Sequence, residues 1–144
     1  MIFTAPYYLT DFKFIMANKK IINKIWRDEN RIPPYDAATL NLKVCDTFFS
    51  KFRGLMLTRE IPQDGGIMIV EKGESKVNTS IHMMFMNYDI TVLWLNKEMV
   101  VVDKVLAKRW KLYYGPKSPA QYILEIHASR FDDFAVGDQL IAES

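Results

Sequence analysis

One cysteine, Cys45, and two histidines, His82 and His127, are all the thiol and imidazole groups that this chain of 144 residues offers. A single thiol cannot form an internal disulfide, so nothing marks adaptation to an oxidising compartment, and a cytoplasmic location is expected. There is no Cys-x-x-Cys, no second histidine near the first and no carboxylate cluster, so neither a cofactor nor a resident metal is expected. No apolar run approaches the roughly 20 residues needed to cross a bilayer, which argues against a membrane-spanning protein. The formal net charge of +2 is too small to demand a polyanionic partner, which makes nucleic acid an unfavoured one.

What is present is an apolar fraction of 49% with 25% charged residues, enough for one packed domain of this length. The opening Met1 to Ile15 is apolar but lacks a basic leader and is broken by Pro6, Asp11 and Lys13. Met16 would serve as an alternative start. Residues 1–18 are therefore expected to be an N-terminal extension and residues 19–144 a single β-rich domain.

Alternation suggests a first strand over Lys20 to Trp26, followed by a loop with two prolines, and a half-buried strand over Thr39 to Cys45. Phe48, Phe49, Phe52 and Leu55 recur at helical spacing, with Gly54 placed to end that turn in a left-handed conformation. Ile67 to Val70 suits a short buried strand after the turn Pro62-Gln-Asp-Gly-Gly66, and polar Glu71 to Thr79 reads as a loop. Ser80-Ile-His-Met-Met-Phe-Met86 is expected to be extended, bending near Asn87 to Asp89. Ile90 to Leu95 and Met99 to Val102 stand at hairpin distance, Gln121 to Ile126 is another strand, and Ser129 to Phe134 a short helical turn. Val136-Gly-Asp138 then turns into a last strand, Gln139 to Ala142. Many short strands and few helices predict a mainly β, compact single-domain sandwich or barrel with one or two short helices.

Several pieces in order resemble the family known as domain of unknown function 192, or DUF192. They are Phe52-Arg-Gly-Leu-Met56 with Arg59, Ile61-Pro62 and Gly65-Gly-Ile67, then Ile81-His-Met-Met-Phe-Met86, Leu124-Glu125 and Val136-Gly-Asp138. The resemblance spans roughly residues 39 to 142. It implies a β sandwich with short helical segments, found in prokaryotes, and carries no activity with it. The chain departs from the family pattern at Asp89, where a proline is usual, at Thr91 for an aspartate, at Arg109 for a proline and at Ser129 for a glycine.

If residues 80–86 form a strand, His82, Met84 and Met86 share one face. That face suits three readings. Methionines make an adaptable, ligand-accepting wall, and the leading expectation is non-catalytic binding of a small molecule or protein partner at Arg53, His82, Met84, Met86, Trp110 and Glu125. The second is a hydrolase-like enzyme in which Arg53, His82 and a carboxylate, Asp89 or Glu125, act together. The third is monovalent copper on His82, Met84 and Met86, since thioether and imidazole donors suit soft ions.

Each residue also has a structural role open to it. Arg53 can pair with Glu125 or Asp138, Cys45 can be a small core residue rather than a nucleophile with His82 or His127, and Asp138 can stabilise its turn. Lys104, Lys108, Arg109 and Lys111, near Trp110, Tyr113 and Tyr114, offer charge and rings of the kind that hold single-stranded nucleic acid, and equally resemble a solvated strand face. Oligomeric state is left open by the sequence.

Overall fold

A computed structural model describes residues 18–23, 39–46, 54–56 and 58–143. Seven strands form one mixed sheet: β1 Asn18–Asn23, β2 Thr39–Cys45, β3 Gly65–Ser75, β4 Ile90–Leu95, β5 Val101–Ala107, β6 Ala120–His127 and β7 Leu140–Glu143. A 3₁₀ helix, Ala128–Asp133, follows β6. Spatial order is β5-β4-β6-β3-β2-β1-β7, antiparallel at every junction except β2 with β3. The sheet curls until its two edges meet: Val100 bridges Gln139, and Leu140 N donates to Met99 O over 2.9 Å. An exposed edge invites pairing with other chains, and this seam covers the start of the β5 edge. The expected mainly β architecture is the one found.

The pleat sorts two interiors. Leu93, Leu95, Leu124, Ile126 and Met68 turn inward with Ile21, Leu40, Leu42, Val101, Phe134 and Leu140. Ile67, Ile69, Ile90, Val92, Trp94 and Ile123 face the other way and are covered by Leu55, Ile61, Ile81, Met83 and Met86 from the loops. The hairpin β4–β5 matches the expected pairing, although β5 starts at Val101 because Met99 has a φ of +64° inside the turn. Asn96 holds that turn by accepting from the amides of Glu98 and Val100, both at 3.0 Å. Gly54 takes the expected left-handed φ, +48°. Asp138 closes its turn by accepting from Ala135 N over 2.9 Å.

Two expectations are corrected. Glu71 to Ser75 continue β3 instead of forming a loop, paired to β6 again at Ser75 with Ala120 after an irregularity. The stretch 80–86 is not a strand beyond Ile81, which bridges Tyr114. Met83 exchanges backbone bonds with Lys111 and Trp110, 2.8 Å each, and Met86 N donates back to Met83 O. His82 Nδ1 accepts from Met84 N at 3.3 Å. Such local bonds compete with a ladder, and Phe85, at φ +59°, completes a turn.

Residues 24–26 of the first expected strand, the two-proline loop, the helix through Phe48 to Phe52 and Arg53 lie outside the described residues, as do residues 1–17 of the expected extension. Among the described residues no helix is long and apolar enough to cross a membrane.

Candidate functional site

On β6, alternation puts Ile123 and Glu125 on the loop-covered side and Leu124 and Ile126 on the other. Glu125 pairs with Ile67 of β3 and Val92 of β4, so a carboxyl stands where both neighbours present buried aliphatic chains. It is only 7% exposed. Removal from water disfavours the charged form, and burial pushes its pKa up from 4.5 to about 7. Gly66 makes this close approach possible: at φ +144°, a Cβ there would fall 2.2 Å from the Glu125 carbonyl oxygen. Gly66 thus has a physical role in seating β6 at Glu125, while Gly65 packs against Pro62.

Walls rise around this point from residues 54–56 and 78–86. Trp94 Nε1 donates to Thr79 O over 2.7 Å in the buried interior, anchoring the second segment on the sheet. Between wall and sheet lies a cavity of about 270 Å³. Leu55, Ile69, Met83, Met86 and Ile123 give it an apolar body, and Glu71, Asn78, Ser80, His82 and Glu125 its polar groups. No lysine or arginine is among the described lining residues. None of the side-chain hydrogen bonds among the described residues ends on the Glu125 carboxyl, so its oxygens are available to a guest.

Of the residues expected to form the site, His82, Met86 and Glu125 are brought together in this cavity. Met84, 36% exposed against 3% for Met86, turns to the outside, and Trp110 is 57% exposed away from the lining. The turn at Met84 and Phe85 separates what an extended strand would have aligned, so the His-Met-Met donor face does not form. Among the described residues no three of His, Cys, Asp and Glu gather as a metal would require.

Asp89 is not in the cavity: it accepts from Arg109 N at 2.9 Å and pairs with Lys108 and Arg109, bonds that hold its pKa below the ordinary value. His127 caps the 3₁₀ helix by accepting from Ser129 N, and Cys45 is buried in the core without reaching the lining. Glu71 and Met83 were missed. Extending the alternation of Ile67 and Ile69 by one step finds Glu71, whereas Met83 turns inward only because residues 110–111 hold its backbone.

The DUF192 family model, described as an uncharacterized ACR, matches residues 30–141. A UPF0127 protein from Thermococcus kodakarensis is 46% identical over 84 residues, which are 58% of this chain and 52% of that protein. One from Thermococcus sibiricus is 38% identical over 104 residues, covering 71% of this chain and 66% of the relative. The chain thus spans between half and two thirds of the length of these relatives. A solved structure from Sinorhizobium meliloti, described as a candidate transcription regulator, superposes with a TM-score of 0.72 at 15% identity, covering 88% of this chain and 94% of the other. A protein of unknown function from Novosphingobium aromaticivorans gives 0.64 at 13% identity, covering 86% and 83%. At such identities the likeness is one of fold alone.

Proposed function

The chain belongs to the DUF192 family, and we propose that its domain binds, without catalysing a reaction, a small molecule with a compact apolar body and one cationic group. The observation that carries this is Glu125, a buried carboxyl in the wall of a cavity whose body is apolar. Small-molecule sites pair an apolar lining with a few placed polar groups that fix orientation. A cationic group on the guest is the complement of a carboxyl held in such a wall. A bound ammonium would favour the charged form of Glu125 and offset its desolvation. Met83 and Met86, flexible and polarizable, let the wall adapt to the guest.

Short alkylamines, alkyl alcohols and alkyl carboxylates, compared in thermal unfolding at pH 7, test this reading. Amines at about a hundredfold excess over Kd should raise Tm by roughly 5–10 °C. The rise should vanish in Glu125→Gln, and calorimetry should show proton release on amine binding to the unsubstituted chain, because burial raises the Glu125 pKa and a bound ammonium favours its charged form. Equal stabilisation by all three series, or a shift indifferent to Glu125→Gln, would rule the reading out.

One observation favours a second reading, an enzyme using Arg53, His82 and a carboxylate: His82 and Glu125 line the same cavity. With Nδ1 accepting from Met84, the neutral ring carries its proton on Nε2. Turnover of a small ester or amide that is lost in both His82→Gln and Glu125→Gln would select it over simple binding.

A further inference from the structure

The turn that carries Met83 and Met86 into the cavity carries Met84 and Phe85 out of it. Phe85 meets Trp110 edge-on, ring centroids 5.5 Å apart, and the backbone bonds of Met83 to Trp110 and Lys111 fix the two loops side by side. Trp110, at φ +67°, and Phe85 adopt a conformation that non-glycine residues take rarely, and both side chains are thereby held toward solvent. Leu112, 70% exposed, and Tyr113 follow on the same loop. Exposed apolar groups gathered in this way mark interaction surfaces more often than chance exposure.

The surroundings are basic. Lys108, Arg109 and Lys111 are all exposed, and the carboxylate facing them is Asp89, engaged by the first two. We propose that Met84, Phe85 and residues 108–113 form a docking surface for anionic membranes, with Trp110, Leu112 and Phe85 entering the headgroup boundary and the three cations meeting lipid phosphates. Trp, Phe and Leu flanked by Lys and Arg are the chemistry of interfacial binding, whereas lysine is depleted at protein–protein interfaces. Single-stranded nucleic acid needs open ring faces in series. Here Phe85 and Trp110 cross at 64°, Tyr114 lies under Lys111 Nζ, and Lys104 Nζ is drawn away by the carbonyls of Phe131 and Phe134.

The surface is independent of any cavity ligand. Its test is co-sedimentation of the full chain with vesicles of phosphatidylglycerol and phosphatidylcholine against vesicles of phosphatidylcholine alone. Binding should need the anionic lipid and weaken with salt. Lys108→Gln and Lys111→Gln should each lower it by about fivefold, the scale of one charge near such a surface. The double variant Trp110→Ser, Leu112→Ser should lose it by at least about tenfold while its circular dichroism stays unchanged, both residues being exposed. The proposal is overturned by equal binding to both vesicles or to neither. It is also overturned by oligonucleotide retention that tracks the same residues without vesicle binding, or by a concentration-dependent dimer that the double variant dissolves and that leaves vesicles unbound.

Discussion

On one side of the sheet Leu93, Leu95, Leu124 and Ile126 interlock with Leu40, Leu42 and Ile21, strand against strand, in an aliphatic cluster closed by Phe134 and Leu140. On the other, Ile69 and Ile123 meet loops that carry Met83 and Met86, and the fit leaves a cavity with Glu125 in its wall. Strands curled onto one another share a repeating spacing and fill their interior, while loops laid on a pleated face meet it at irregular heights. The first side therefore holds the fold and the second leaves room for a guest.

The largest effect expected from this contrast is at Leu124, fully buried among aliphatic neighbours. Leu124→Ala should cost about 3 kcal/mol in chemical denaturation, the sum of lost transfer energy and a new cavity. A cost under about 1 kcal/mol would mean that the closed side is not the stable one.

Glu125 offers the next test, because its two protonation states sit differently in the folded chain. Its folded pKa, about 7, lies above the unfolded 4.5, so the folded state binds the proton more tightly. The stability it contributes is fully present below pH 4.5 and is lost as the pH rises through about 7, by on the order of 3 kcal/mol at most. Glu125→Gln cannot titrate. The difference in unfolding free energy between the two proteins should shift across that window in favour of the variant, and parallel profiles would show that Glu125 is solvated.

Much of this contrast was legible in the residues. Leu40, Leu42 and Val44 announce β2 by alternation, the spacing of Ile90–Leu95 and the following valines announces the hairpin, and Glu125 stands out inside an apolar strand. The polar tail Glu71 to Ser75 hid its strand because backbone pairing to β6, not side-chain burial, extends it. Arg130 was missed as well. Its burial depends on pairing with Asp133 and donating to Gln63 O across 67 positions of sequence, which no local pattern encodes. The segment 80–86 misled for the same reason: its period-two pattern is real, but its backbone partners are Trp110, Lys111 and Tyr114.

Met84 and Met86 give the finest comparison, two identical side chains on one turn with opposite surroundings. Met86 is 3% exposed in the cavity wall, so Met86→Ala should destabilise by about 2 kcal/mol, the low end for a buried methionine, since it widens a space that water can already enter. Met84→Ala should change stability by less than about 0.5 kcal/mol, as surface substitutions usually do. Measured side by side, a strand-like arrangement would make the two costs alike, because positions two apart on a strand face the same environment. A ratio of about fourfold or greater would instead place the division between cavity and surface at the backbone of Phe85.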